Sequence, residues 1–295
     1  MKITSVLLGI FLYFNALAIK PERGYKAKPE NWGLIYKEFK VKTKDNLKIN
    51  CWFIPNQIIT DSSYNDKAIK KVYKYDGITR PTLVICNGDA GNMTYLVSIA
   101  FNLCSYGYNI CLFDWRGFGE SDDWKMDSNY FCYPEFLTDY DAVIDAMIDL
   151  PEVDNTKIGV FGFSTGAYLS FAETYKRKEI KCFVGRGLMT EFTPLKEYWD
   201  KKRPERQCVI PEEYPKEYYP INISKTLLKP IFLIVGELDE ITPRWMSETI
   251  YKNLQGPKNL WVVQGAEHGG GNGPEWKNIK DFSLHVITFL RKYLL

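Results

Sequence analysis

The sequence predicts an α/β protein with a mostly parallel central sheet covered by helices on both faces. Three observations lead to this fold class. Short apolar runs alternate with segments of helical periodicity, several of the runs are apolar at every position, and the length of 295 residues suits one large domain. Strands that are apolar throughout are buried on both faces, as in parallel sheets with helices packed on either side.

The individual elements follow from the period of the apolar residues. Residues 134–150 are predicted as a helix because Phe136, Tyr140, Val143 and Met147 recur at helical spacing. The other predicted helices are residues 95–104, 167–175, 245–254 and 279–290. The predicted strands are residues 35–41, 47–54, 82–86, 109–113, 157–163, 180–184, 231–235 and 260–263.

The first residues have the features of a secretory signal peptide. Lys2 is followed by an apolar run over residues 6–14 and by the small residues Ala16 and Ala18. We therefore expect a signal peptide over residues 1–18, cleavage after Ala18, and a secreted or periplasmic, envelope-facing protein. The alternative is an uncleaved N-terminal membrane anchor, although the apolar run is shorter than the roughly 20 residues of a spanning helix.

The remaining residues, 19–295, are predicted to form the α/β domain, with one insertion. Residues 188–229 interrupt the alternation of strands and helices and are rich in Glu, Lys, Pro and Tyr. A segment of this length is too long for a simple connection, so we interpret it as an inserted cap or lid.

The composition and motifs of the chain argue against binding of nucleic acid, a metal ion or a nucleotide cofactor. The formal charge is +2, which gives no basic field for nucleic acid. The chain has seven Cys and two His and no Cys-x-x-Cys pair, so we expect no metal site. Neither a Walker sequence nor a Gly-x-Gly-x-x-Gly sequence is present, and we expect no cofactor. The pairing of Cys51, Cys104, Cys132 and Cys208 is left open.

A candidate nucleophile lies between a predicted strand and a predicted helix. Residues 162–166 read Gly-Phe-Ser-Thr-Gly, which matches Gly-x-Ser-x-Gly around Ser164. This setting holds the serine hydroxyl clear of the sheet, next to a helix N-terminus that favours negative charge. The alternative is an ordinary serine in a glycine-rich turn.

A serine needs a base and an orienting carboxylate. His268 follows the last predicted strand in a glycine-rich loop, whereas His285 lies within a predicted helix and is interpreted as a packing or surface residue. Asp239 follows the strand before it and is the preferred carboxylate, with Glu237 and Glu240 as competitors. The oxyanion hole is predicted from two backbone N–H groups, those of Thr165 and Asp89.

With these motifs in order, the sequence resembles the α/β-hydrolase superfamily over roughly residues 32–293. The loop over residues 87–92 reads Asn-Gly-Asp-Ala-Gly-Asn and is similar to the His-Gly-Asn-Ala-Gly-Asn loop of a group that includes protein depalmitoylases and peptidase-like members. Residues 114–121 are similar to the Asp-x-Arg-Gly-x-Gly-x-Ser stretch of the same proteins. The resemblance implies the α/β-hydrolase fold and acyl transfer, without a particular substrate.

The loop departs from the group's pattern at Asn87 and Asp89, which replace His and Asn. A carboxylate beside a developing oxyanion opposes it, so we expect Asp89 to donate its backbone N–H and to turn its side chain outward.

The leading hypothesis is a serine hydrolase of an ester or thioester, and less readily of an amide, acting on a small-molecule or lipid-like acyl substrate. Weak membrane association and the oligomeric state are left open. The alternative is a non-catalytic member of the fold that binds a ligand or partner under its cap.

Overall fold

A computed structural model of the chain describes residues 18–58, 73–204, 207–277 and 279–295. Within these ranges, eight strands form one central sheet in the order β10-β9-β8-β7-β4-β6-β3-β2. Their bounds are β2 (Lys37–Lys42), β3 (Lys48–Ile54), β4 (Arg80–Cys86), β6 (Asn109–Phe113), β7 (Val153–Phe163), β8 (Ile180–Arg186), β9 (Ile231–Gly236) and β10 (Lys258–Val263). The six strands from β10 to β6 in this order are parallel, and β3 runs antiparallel to both β6 and β2.

Helices cover both faces of the sheet. They are α1 (Val97–Leu103), α2 (Phe136–Asp149), α3 (Thr165–Lys176), α4 (Phe192–Lys202), α5 (Pro220–Ile223), α6 (Arg244–Asn253), α7 (Pro274–Lys277) and α8 (Ile279–Tyr293). One apolar core lies under α2, α3 and α6, and the other lies under α1 and α8. Along β4, Val84 enters the first core and Leu83 and Ile85 enter the second, because successive side chains of a strand point to opposite faces.

The predicted α/β architecture with a mostly parallel sheet is confirmed, with differences at the ends of elements. Strand β7 begins at Val153 rather than at residue 157. The helix predicted over residues 95–104 begins as a 3₁₀ turn over Met93–Leu96, where the Asn92 side chain accepts a hydrogen bond from the backbone N–H of Thr94.

Two short strands, β1 (Lys20–Pro21) and β5 (Ala90–Gly91), pair in parallel outside the main sheet and were not predicted. With two residues each, they are too short to show a period-two pattern. They hold the N-terminal end of the described chain against the loop that follows β4.

The segment over residues 188–229 leaves the sheet and contains α4, a 3₁₀ turn (Lys216–Tyr218) and α5. It packs on α3 through aromatic rings, and the ring of Tyr168 lies 4.5 Å from that of Phe192 and 5.3 Å from that of Tyr214. The interpretation of this segment as a cap stays a prediction.

Parts of two sequence predictions fall outside the described ranges. The predicted signal peptide lies there except for Ala18. Residues 59–72 lie there as well, and they belong to the polar segment 57–80, which the sequence predicts to be a long surface excursion. No helix in the described part of the chain is long and apolar enough to span a bilayer. All seven cysteines lie in that part and are buried.

Candidate active site

Ser164 lies at the turn between β7 and α3. Its φ of 54° is in the left-handed region, and only 3% of the residue is exposed. A β-carbon at Gly162 would lie 2.5 Å from Cα of Ala167, and one at Gly166 would lie 2.0 Å from the carbonyl oxygen of Asn87. The two glycines of the motif therefore allow strand, helix and neighbouring loop to approach one another, which forces the serine into the tight turn.

His268 follows β10 and faces this turn. Its Nε2 lies 3.0 Å from Oγ of Ser164, although the two residues are 104 positions apart in the chain. Both β7 and β10 end at the same edge of the sheet, because both belong to its parallel part. The distance is within hydrogen-bond reach, so the imidazole can accept the serine proton.

Asp239 lies behind the imidazole, after β9. Its Oδ2 is 2.8 Å from Nδ1 of His268, while Oδ1 accepts the backbone N–H groups of Ile241 and Thr242 at 2.9 and 2.8 Å. Burial acts to raise the pKa of Asp239, but the interaction with His268 and these backbone donors outweigh it, so the pKa lies below its ordinary value. The carboxylate is thus ionised and held in place.

Thr242 is a site residue that the sequence analysis missed. Its hydroxyl donates to Oδ2 of Asp239 at 3.0 Å and lies 3.1 Å from Nδ1 of His268. The residue is fully buried. Its position three residues after Asp239 is the only signal in the sequence, and a threonine at that spacing is too common to predict this contact.

The competing residues lie elsewhere. Glu237 accepts the backbone N–H of Gly265 at 2.9 Å and braces the loop before His268. Glu240 lines the cleft. The ring of His285 lies 4.4 Å from that of Trp261 on the exposed side of α8. The structure therefore brings together Ser164, His268 and Asp239 of the predicted residues.

The two residues predicted to form the oxyanion hole lie beside Ser164. Thr165 is the first residue of α3, where the backbone N–H has no partner within the helix, and Asp89 lies in the loop after β4. The expected outward orientation of the Asp89 side chain is wrong. Its Oδ2 accepts a hydrogen bond from Oγ1 of Thr165 at 3.2 Å, so the carboxylate is turned toward the helix N-terminus.

Asn87, the other departure in this loop, has a structural role. Its Nδ2 donates to the carbonyl oxygens of Ala90 at 2.8 Å and Asn92 at 3.3 Å, across the turn of the loop. The Asn87 amide therefore closes the loop by hydrogen bonds from its side chain.

The stretch after β6 supports the same loop from below. Asp114 accepts the backbone N–H of Met93 at 2.7 Å and the hydroxyl of Tyr25 at 2.8 Å, and burial raises its pKa to about 7. Arg116 is buried, and its Nη2 lies 2.7 Å from Oδ1 of Asp139, a residue of α2. The Asp-x-Arg-Gly-x-Gly-x-Ser stretch thus has a scaffolding position in the fold.

A cleft of about 870 Å³ opens beside the triad-like arrangement. Its lining combines apolar side chains with charges of both signs, and includes Ala18, Lys20, Asp89, Phe163, Arg203, Leu238, Glu240, Ile241, Glu267 and His268. Among the described residues there is no cluster of side chains that could hold a metal ion. The arrangement can therefore perform proton transfer between a serine and a carboxylate-oriented imidazole, next to a space large enough for a small molecule.

A family model described as the alpha/beta hydrolase fold matches residues 81–208. Together with the sheet order and the turn at Ser164, this match assigns the class. The chain has the α/β-hydrolase fold, as its motifs predicted. The narrower group suggested by the oxyanion loop stays a prediction.

The chain is similar to curated relatives in sequence and to solved structures in fold. The uncharacterized protein YfhR of Escherichia coli strain K12 is 25% identical over 242 residues, which cover 81% of this chain and 75% of YfhR. The esterase Pf2001 of Pyrococcus furiosus superposes with a TM-score of 0.71 at 21% identity, covering 94% of this chain and 100% of the esterase. The acylaminoacyl peptidase of Pyrococcus horikoshii has a TM-score of 0.63 at 18% identity, covering 88% of this chain and 42% of the peptidase. At 21% and 18% identity, the likeness to the esterase and to the peptidase shows a shared fold.

Proposed function

We propose that this protein is a serine hydrolase that cleaves acyl esters or thioesters through Ser164, His268 and Asp239. The observation that carries the proposal is the continuous hydrogen-bonded series from Oγ of Ser164 through the imidazole to the carboxylate, with distances of 3.0 and 2.8 Å. A serine hydroxyl is a weak nucleophile at neutral pH, and such a series activates it.

In the proposed reaction, Oγ of Ser164 attacks the acyl carbonyl while Nε2 of His268 takes the hydroxyl proton. Asp239 keeps the other ring nitrogen protonated and stabilises the imidazolium that forms. The negative charge on the former carbonyl oxygen is met by the backbone N–H groups of Thr165 and Asp89. His268 then protonates the leaving group, and water releases the acyl group from Ser164 by the same steps.

Esters and thioesters are the preferred substrates because their leaving groups depart with less help from a proton than an amine does. The cleft beside Ser164 combines apolar side chains such as Leu238 and Ile241 with charged groups. This lining suits an acyl group with a polar leaving group. Amide cleavage is the less favoured outcome of the same machinery.

A panel of nitrophenyl esters, thioesters and anilides with short, medium and long acyl chains tests the proposal. We expect turnover of at least one ester or thioester series, and a fall in kcat on the order of 10⁴-fold or more for Ser164→Ala and for His268→Ala. Thermal unfolding of both variants checks that they are folded. Turnover that survives in Ser164→Ala contradicts the proposal. Absence of turnover by the folded wild-type protein favours the alternative of a binding protein.

A further inference from the structure

A buried arginine outside the triad-like arrangement contacts both of its halves. Arg186 is the last residue of β8, and 4% of it is exposed. Its carbonyl oxygen accepts the backbone N–H of Ser164 at 2.8 Å. Its guanidinium donates from Nη1 to the carbonyl oxygen of His268 at 3.2 Å. One residue therefore holds the backbone of the candidate nucleophile and the backbone of the candidate base.

The guanidinium also packs on the side chains between them. Its Cζ lies 3.5 Å from the centroid of the Phe163 ring. On the imidazole side, the Phe163 ring centroid lies 4.9 Å from that of His268, with the two planes tilted by 36°. The Phe163 ring thus contacts both the guanidinium and the imidazole next to Ser164, and cation–π attraction and ring packing favour one arrangement of the three groups.

Glu275 completes the assembly from α7. Its Oε2 pairs with Nη1 of Arg186 in a buried ion pair. Burial lowers the pKa of Arg186 from its ordinary value, and Glu275 counters this effect. Because the pair has no net charge, it anchors the loop of His268 without adding a net charge beside the imidazole.

The loop between His268 and Glu275 packs closely around this ion pair and the neighbouring Phe163 ring. A β-carbon at Gly269 would lie 3.2 Å from Cζ of Phe163, and one at Gly273 would lie 3.0 Å from Nη1 of Arg186. Both glycines therefore leave space for the Phe163 ring and the Arg186 guanidinium. The glycine-rich run after His268, noticed in the sequence, accommodates the arginine pair.

We propose that the Arg186–Glu275 pair is a positioning unit that sets the distance and tilt of the His268 imidazole relative to Ser164. The proposal rests on the proposed function, because it gives His268 the role of base. Neither residue touches the reacting atoms, so each acts through Phe163 and the His268 backbone. A misplacement of a catalytic group by about 1 Å can cost about 100-fold in rate.

The histidine content of the chain provides a readout that does not depend on activity. The chain has two histidines, and His285 lies on the exposed side of α8 against Trp261. If the histidines are labelled with the heavy nitrogen isotope, the NMR spectrum therefore contains the signals of the site imidazole and those of His285, which serve as an internal reference. Protonated and unprotonated ring nitrogens resonate at well separated positions, so the spectrum reports whether Nδ1 of His268 holds its proton toward Asp239.

Two variants test the unit, Arg186→Met and the nearly isosteric Glu275→Gln. In wild-type protein we expect a single His268 tautomer with the proton on Nδ1. In each variant we expect the His268 resonances to shift and to average between tautomers while those of His285 stay unchanged. We also expect kcat for the best ester to fall about 10- to 100-fold with KM within about twofold.

Arg177→Met is the matched control. Arg177 follows the C-terminal end of α3, opposite Ser164, and forms ion pairs with Asp141, Asp145 and Glu179. Its loss removes a multiply paired arginine from another part of the fold. We expect a lower melting temperature with unchanged His268 resonances and kcat.

The outcomes separate this proposal from the proposed function. Unchanged His268 resonances in folded Glu275→Gln overturn the positioning unit, even if the protein is an active esterase. Shifted resonances in a protein that turns over no substrate support the positioning unit and count against the hydrolase. If Arg186→Met does not fold, Glu275→Gln alone decides, because it keeps the size of the side chain and a hydrogen-bond acceptor for Nη1.

Discussion

At the scale of single residues, Thr242 connects the carboxylate and the imidazole of the candidate site. Its hydroxyl lies 3.0 Å from Oδ2 of Asp239 and 3.1 Å from Nδ1 of His268. The same Oδ2 of Asp239 accepts the proton on Nδ1 of the imidazole. A hydroxyl that donates to this oxygen therefore fixes the rotamer of the carboxylate. The Thr242 hydroxyl acts by orienting the carboxylate, so its loss should lower kcat more than it changes KM.

Thr242→Val tests this role, because valine keeps the shape of threonine and removes the hydroxyl. One hydrogen bond contributes about 0.5–1.5 kcal/mol, so kcat should fall about 2- to 10-fold with KM nearly unchanged. Steady-state kinetics on the best ester measures the change. The control is Thr249→Val on α6, whose hydroxyl donates only to the carbonyl oxygen of Trp245 and whose loss should leave kcat unchanged. Equal effects of the two variants would refute the assignment.

Asp89 places a carboxylate next to the predicted oxyanion hole. Its Oδ2 accepts from the hydroxyl of Thr165 at 3.2 Å. Asp89→Asn keeps an acceptor for that hydroxyl and removes the negative charge that opposes the oxyanion. We expect kcat/KM to rise several-fold, up to about 10-fold, at neutral pH. A fall in kcat/KM would instead mean that the carboxylate assists the reaction, for instance by binding a positively charged part of the substrate.

The sequence was sufficient to predict residues whose role depends on their place at the end of a strand. Ser164, Asp239 and His268 each follow a strand of the parallel part of the sheet, so their convergence follows from topology. Arg186 also ends a parallel strand, but its role arises from contacts with His268 and Glu275, which lie 82 and 89 positions away. Thr242 follows Asp239 by three positions, a spacing too common to predict its contacts. The direction of the Asp89 side chain was predicted wrongly because it depends on the neighbouring Thr165 hydroxyl.

At the scale of elements, the short β1–β5 pair ties the N-terminal end of the described chain to the oxyanion loop. The backbone N–H of Lys20 donates to Asp89 at 2.7 Å, and that of Glu22 donates to Gly91 at 3.0 Å. The side chain of Asn92 donates to the carbonyl oxygens of Glu22 and Gly24 at 3.2 and 2.5 Å. The loop that carries a predicted oxyanion donor is therefore held from outside by the segment next to the predicted signal peptide.

Asn92→Ala should loosen this pair. Asn92 is buried, and its side chain also caps the 3₁₀ turn through the N–H of Thr94. Its loss removes the side-chain donor to the carbonyl oxygens of Glu22 and Gly24 and the acceptor of the Thr94 N–H, so we expect the free energy of unfolding to fall by about 1–3 kcal/mol. Urea denaturation measures this change, and faster hydrogen exchange at Lys20 and Glu22 should accompany it. Asn102→Ala on α1 is the control, with an expected change within about 0.5 kcal/mol. Unchanged exchange at Lys20 and Glu22 would contradict the role of Asn92.

The longer elements were predicted more accurately than the short ones for a physical reason. Strand β9 is apolar at almost every position and α2 has a regular apolar period, so burial determines both. The β1–β5 pair and the first four residues of β7 have no such pattern. The two short strands pair with each other although they are far apart in sequence, and Val153 of β7 pairs with Arg80. Pairing of this kind leaves no trace in the local composition.

At the scale of the whole molecule, buried carboxyl groups make stability depend on pH. Glu173 on α3 is fully buried and pairs with Lys176 at 2.8 Å, and burial raises its pKa from 4.5 to about 7. Burial likewise raises the pKa of Asp114 to about 7. A carboxyl group with a raised pKa in the folded state holds its proton more tightly there, so its contribution to stability is fully present below its unfolded pKa and is lost as pH rises through about 7.

We therefore expect the free energy of unfolding to fall as pH rises from about 5 to about 8. Asp239 does not contribute in this range, because its lowered pKa places its effect below its ordinary value of 3.8. Glu173→Gln should flatten the pH dependence, since the amide does not titrate. Urea denaturation of both proteins across this range measures the effect. An equally steep dependence in Glu173→Gln would show that this group does not cause it.

Labelling with a fluorophosphonate, followed by mass spectrometry of the digested protein, shows whether Ser164 is the nucleophile. We expect one adduct, on Oγ of Ser164, which is absent in Ser164→Ala and forms much more slowly in His268→Ala. An adduct on another residue, or undiminished labelling of folded Ser164→Ala, would contradict the assignment of Ser164 as the nucleophile.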